Sequence, residues 1–325
     1  MDITTRTDWA GHLDDRWRTL VETVERGMAE ADGLSYVAHF TDGIYNFGIA
    51  RSTDPADPAA ERDAVADAVA VTRQEEERYQ RIGRRLNLVH EDLERWTRPL
   101  DSGRLIRLVF ASGNGAVLLF TVRPHEYMVG YARGADRIET ADRQLAKTTD
   151  DVRKLLGLGS ENPGGYHPVP ITLDEARAAT RHVHVPDEAR GAAFAQVHRR
   201  HVCRTDLHYL AAFVGGRQVS AVDTFEDASV GRFFLGITPQ ARRDIYLDIV
   251  SELEVLVRRL TFPLRPVLDG ALSRVVLDVE QGALYYRVLP EGAALLGVTL
   301  DQEMVWEAER RLDKAIAGHH GDDAT

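Results

Sequence analysis

Only one cysteine, Cys203, occurs in the 325 residues. A single thiol excludes an intramolecular disulfide framework, and with it any multi-cysteine zinc ribbon or iron–sulfur cluster within one chain. Lysine is almost missing too: of 40 basic residues, only Lys147, Lys154 and Lys314 are lysine. The arginines that make up the rest are interleaved with 51 acidic residues, for a net charge of −11. That balance leaves no basic patch for a nucleic-acid backbone. No apolar run approaches the roughly 20 residues that span a bilayer. The N-terminus Met1-Asp2-Ile3-Thr4-Thr5-Arg6 lacks the basic-then-apolar pattern of a signal peptide, so the cytoplasm is the expected location. Gly-x-Ser-x-Gly and phosphate-loop motifs are both missing. Gly157-Leu158-Gly159 follows a helical pattern instead of leading into one, which favours a helix cap over a nucleotide site. No catalytic residue and no cofactor are expected.

What the sequence does have is ordinary globular material, 44% hydrophobic and 28% charged, at a length that suggests two domains. It also recurs. Leu34-Ser35-Tyr36-Val37-Ala38-His39-Phe40 aligns at an offset of 173 with Leu207-His208-Tyr209-Leu210-Ala211-Ala212-Phe213. A second match, at an offset of 167, sets Leu108, Phe110, Gly115, Ala116, Leu118 and Gly130 against Val275, Leu277, Gly282, Ala283, Tyr285 and Gly297. Two matches in the same order favour a tandem duplication.

Periodicity fills in each copy. Trp9, Leu13, Trp17, Leu20 and Val24 fall on one helical face, and Pro186-Asp187-Glu188 opens the corresponding helix of the second copy. Hairpins follow at 34–40 with 44–51 and at 207–214 with 217–225. A long charged helix is expected over about 59–95, after a loop at Ser52–Pro58. Its counterpart begins at Thr238-Pro239 and carries the stripe Tyr246, Ile249, Leu253, Leu256 and Leu260. Three short strands come next in each copy (105–111, 116–123 and 127–132; 272–279, 283–289 and 293–299), then a closing helix. The expected fold class is therefore an α/β (α+β) sandwich, two related copies of α-β-β-α-β-β-β-α with antiparallel sheets. The expected boundaries are 1–158 and 181–318 for the copies and 159–180 for a Gly/Pro-rich linker. A short helix capped at Thr172–Glu175 is expected in that linker, and 319–325 reads as a frayed tail.

This order resembles the roadblock family of dynein light chains. The resemblance is carried by Gly282–Pro290 with Ala294–Thr299, and by Gly115–Phe120 with Tyr127–Gly130. It implies five-stranded sandwich domains that pair through sheet and helix, as an intra-chain pseudo-dimer or a homodimer. It also implies a non-enzymatic protein-interaction or regulatory role toward a small Ras-like GTPase. A competing topology is the type III secretion chaperone-like or YbjN-like fold, also a protein binder, in which Gly231-Arg232-Phe233-Phe234-Leu235-Gly236 supplies an extra strand.

Two patches invite chemistry. His182, His184, His198, His201, Cys203 and His208 crowd one stretch, and His198, His201 and Cys203 are the candidate metal ligands of a metal-dependent enzyme. The arginines between His198 and His201 oppose a cation there. The run Arg73–Arg81 is charged nearly all round, which makes Arg73, Glu76, Tyr79 and Arg81 candidate partner-binding residues.

Overall fold

A computed structural model of the chain describes residues 4–52, 70–167 and 179–321. It opens with a strand, β1 (Thr4–Trp9), where the spacing of Trp9, Leu13 and Trp17 predicts a helix. Three threonines and a tryptophan favour the extended chain. Helical structure starts only after Asp14, whose carboxylate accepts from the Arg16 N–H at 3.0 Å, so the first helix is α1 (Arg18–Ala29). Trp9 lies on the strand, 41% exposed.

The first hairpin, β2 (Tyr36–Thr41) and β3 (Ile44–Ser52), turns at Asp42-Gly43, both at positive φ, the backbone that tight hairpins require. Next come α2 (Arg73–Thr97), the meander β4 (Leu105–Ala111), β5 (Gly115–Arg123) and β6 (Glu126–Arg133), and α3 (Ile138–Leu155). The second half runs through β7 (His182–His184), α4 (Glu188–His201), β8 (Tyr209–Val214), β9 (Arg217–Asp223) and α5 (Pro239–Leu268). It closes with β10 (Arg274–Val279), β11 (Gly282–Val288), β12 (Ala293–Thr299) and α6 (Val305–Gly321). The loop expected at 53–58, the start of the long charged helix and the capping box at Thr172–Glu175 lie outside the described residues, as do 322–325 of the tail.

All twelve strands belong to one antiparallel sheet, ordered β1-β3-β2-β6-β5-β4-β10-β11-β12-β8-β9-β7. This overturns the expectation of two independent sandwiches. The roadblock resemblance and the tandem-repeat description that rested on them fall with it, as do the intra-chain pseudo-dimer and the GTPase partner implied by that likeness. The reason lies partly in where the long helices end. One compact unit takes in described residues of Met1–Leu93, Ile106–Pro163 and Leu260–Leu272; the other takes in Glu94–Leu105, Gly164–Arg259 and Ser273–Thr325. The first therefore contains the end of α5, the second the end of α2, and neither is built from one half of the sequence alone.

Within the first unit, Leu264, Val267 and Leu268 are buried. The Leu268 carbonyl accepts from Ser112 Oγ, and the Asp269 carbonyl accepts from Asn114 Nδ2 at 3.2 Å. Within the second, Leu100 is buried and its carbonyl accepts from Arg242 at 2.9 Å. Leaving these apolar helix ends in water would cost about 1.5–3 kcal/mol for each large side chain.

In the first unit α2 covers one sheet face, where the Tyr79 ring stacks on Tyr131 at 4.4 Å. The other face carries α1 and α3. These helices touch at Gly27, where a Cβ would fall 2.2 Å from Thr148 Oγ1, a hydroxyl already donating to the Gln144 carbonyl. Gly27→Val is therefore expected to lower stability by about 1–3 kcal/mol through overpacking. Urea denaturation at constant m-value would measure the loss, and an unchanged midpoint would contradict the packing described.

Candidate functional site

The second unit holds a cleft of about 470 Å³, lined among others by His208, Arg232, Phe233, Gln281, Leu300 and Asp301. That volume lies within the roughly 300–1,000 Å³ of small-molecule and cofactor sites. Its back wall is the stretch between α4 and β8. Asp206 there is gripped by Arg311 through two bonds of 2.6 and 2.7 Å and accepts from Cys203 Sγ at 3.0 Å. Burial opposes ionisation of Asp206, but the Arg311 guanidinium and the thiol outweigh it and hold the carboxyl below its usual range. Asp206 thereby pins the turn that delivers His208.

His208 is buried, its Nδ1 accepting from the Leu300 N–H at 3.1 Å. Burial pushes its pKa down to about 4, so near neutral pH the imidazole is an uncharged strut between the back wall and the Leu300 end of β12. Phe233 approaches it edge-on, with ring centroids 6.1 Å apart.

The front rim is the segment after β9. Asp227 accepts from the backbone of Ser229 at 3.0 Å and of Thr180 at 2.9 Å, which starts a 3-10 helix at Ala228–Phe234. The extra strand envisaged for Gly231–Gly236 is thus replaced by a capped helical turn, because the Asp227 cap sets its backbone. Arg232 lies 4.6 Å over the Phe233 ring and bonds Asp301 at 2.7 Å, which ties the 3-10 helix to the segment after β12. The remaining border is the β10–β11 turn. Gln281 N–H donates to the Ser102 carbonyl at 2.9 Å, and Arg104 bonds Glu280 at 2.9 Å.

The cleft thus sets an apolar floor, Phe233 and Leu300, inside a border of both charges: Arg204 and Arg232 against Glu280, Asp301 and Glu303. Beside it, Leu235 at the end of the 3-10 helix is 91% exposed. Most of this site is not legible in the sequence. The signal that points to it best is Asp301, a cap directly after a strand, which accepts from the Glu303 N–H at 3.1 Å.

The sequence candidates are scattered. His198 is buried, whereas His201 at the end of α4 is half-buried, and burial together with the cations Arg311, Arg200 and Lys314 lowers its pKa. Cys203 is half-buried and bonded to Thr205 and Asp206. Among the described residues, no group of three or more His, Cys, Asp or Glu side chains is placed to hold a metal ion. On α2, Arg73 and Arg81 are exposed, but Glu76 and Tyr79 face inward. Glu76 accepts from Arg6 Nε at 3.0 Å, and Tyr79 packs under Arg133, 5.6 Å from its ring centroid. No helix among the described residues is long and apolar enough to cross a membrane.

In comparisons with known proteins, no protein-family model matches the chain, and no curated protein matches it in sequence.

Proposed function

We propose that this chain is a non-enzymatic protein-interaction module whose second unit takes a short segment of a partner protein in the cleft around Phe233 and Leu300. One observation carries the reading: an apolar floor ringed by donors and acceptors of both charges and continued on the outside by the exposed Leu235. A peptide offers the matching set, an apolar side chain for the floor and alternating backbone donors and acceptors for the rim. His208, committed through Nδ1 to the Leu300 N–H, contributes shape instead of proton transfer.

Panning a random peptide display library on the purified chain tests the reading. A consensus with one large apolar anchor is expected. Its affinity should fall about tenfold in Leu235→Asp and in Phe233→Ala, equivalent to about 1.4 kcal/mol each. Failure to enrich any consensus, or equal binding to wild type and both variants, would overturn the proposal.

A further inference from the structure

On the first unit, the side of α2 turned away from the sheet is cationic over its middle turns. The inward side is apolar, with Tyr79, Ile82, Leu86 and Val89 buried. Two contacts fix how the helix is rolled against the strands. A Cβ on Gly83 would fall 2.5 Å from the Phe40 ring, and Tyr131 Oη donates to the Tyr79 carbonyl at 2.6 Å. Arg81, Arg84, Arg85 and Leu88 are left exposed. At steps of three and four they form one stripe about 10 Å long, presented at a set angle by those inward contacts.

Nothing in the packing of α2 calls for this stripe. From Arg78 to His90 the helix carries four arginines and no acid. Arg81 lies 3.9 Å from Glu77, in a pair whose side chains are both open to water. Among the described residues, no carboxylate pairs with Arg84 or Arg85. Each is a like charge three or four residues from Arg81, a spacing at which repulsion weakens a helix. Both stand in the middle of α2, where the dipole that favours arginine in a last turn has no effect. Leu88, 64% exposed, adds apolar surface beside them. Local rules broken together on one face, without a compensating contact inside the chain, mark a surface completed from outside.

Charge selects the occupant. Carboxylates meet arginine forks two oxygens at a time, and an apolar side chain among them would cover Leu88. The chain as a whole has a net charge of −11, so a broad polyanion, whether a membrane surface or a nucleic acid, is repelled outside the stripe. A short acidic segment meets the stripe alone, because charges beyond about 8 Å are screened at physiological salt. We infer that Arg81, Arg84, Arg85 and Leu88 form a docking surface for a short acidic segment of a partner protein, its carboxylates set around one apolar side chain. This surface belongs to the first unit and stands independently of the cleft.

Fluorescence anisotropy tests this, using the full chain and a labelled alanine-based peptide that presents glutamates around one leucine on a single helical face. Binding is expected, and it should weaken as salt rises. It should fall at least about tenfold in the double variant Arg84→Gln with Arg85→Gln, and about tenfold in Leu88→Ser. The double variant should melt no lower than wild type, since it loses only repulsion. Leu235→Asp, at the cleft, should bind the peptide as wild type does. No binding by the wild type, undiminished binding by the double variant or by Leu88→Ser, or loss of binding in Leu235→Asp would each overturn the inference. A lower melting temperature in the double variant would show the arginines to be structural and overturn it too. So would tighter binding to phosphatidylserine vesicles or to a single-stranded oligonucleotide than to the peptide.

Discussion

Arg107→Ala is expected to destabilise the chain by about 3–5 kcal/mol, the cost of stranding a buried charge. Arg107 and Asp142 are both essentially inaccessible to water. Arg107 Nε donates to Asp142 Oδ1 at 2.9 Å while Nη2 donates to Oδ2, the bidentate fork in which arginine meets a carboxylate. The guanidinium also lies 6.0 Å from the Phe120 ring centroid. With alanine at 107, Asp142 would keep its burial and lose its counter-charge, and a cavity would open beneath α3. Replacing both partners by apolar residues of similar volume, Arg107→Met with Asp142→Leu, should recover most of the loss, because neither desolvated charge then remains. Chemical denaturation of the two single variants and the double variant closes a mutant cycle. A loss of less than about 1 kcal/mol in Arg107→Ala would show the pair to be solvated. Arg274 and Glu309 make a similar contact at 2.8 Å, but Arg274 is partly exposed, so Arg274→Ala should cost less.

Acidification is expected to weaken the fold from about pH 6.5 downward, well before most carboxylates titrate. Burial pushes His208 from 6.5 to about 4, and it pushes buried His198 down as well, with further repulsion from His319 and His201. A histidine with a depressed folded pKa costs nothing above its unfolded value, where both states are neutral. As pH falls from about 6.5 to about 4 the unfolded chain takes up a proton that the native chain refuses, and stability declines. For His208 that amounts to roughly 3 kcal/mol by about pH 4. Glu126 and Asp206 act in the same direction at lower pH, since partners hold their folded values below the ordinary ones and stability is lost as pH falls through those values. Melting temperatures from about pH 7.5 to about pH 4.5 should therefore slope downward with acid. The slope should flatten in His208→Asn, whose amide oxygen can still accept from Leu300. A flat wild-type profile above about pH 5 would mean that water reaches these imidazoles.

Both expectations rest on nonlocal burial that the sequence does not announce. Nothing in the stretch around Arg107 distinguishes it from the many arginines beside acids on the surface. It is buried because Asp142, on α3, meets it across the sheet face. His198 and His201, three apart on α4, look like a pair in the sequence. Helical spacing brings their backbones close, yet His198 is buried with its ring bonded to Ser220, while His201 is only half-buried and feels nearby cationic side chains. Glu76 and Tyr79 mislead for the same reason, since a helix with charge on every side still buries one face when a sheet lies against it.

What the sequence determined by itself is what short-range physics controls. Short runs rich in apolar, β-branched and aromatic residues made the strands, Asp42-Gly43 and Gly215-Gly216 turned the hairpins, and Thr238 started α5, its hydroxyl accepting from the Ala241 N–H at 3.2 Å. The stripe from Tyr246 to Leu260 is buried as its spacing requires. The tertiary structure alone decided how those parts were combined. Strand composition specifies that these segments are buried but not which edge meets which neighbour, so a recurrence in sequence did not yield two separate sandwiches. Nor does a helix pattern reveal where the helix end will be buried, and the ends of α2 and α5 belong to units built mainly from the other half of the chain. The cleft follows the same logic: His208, Phe233, Gln281 and Asp301 come from separate stretches and meet only when the sheet and its covering helices are in place.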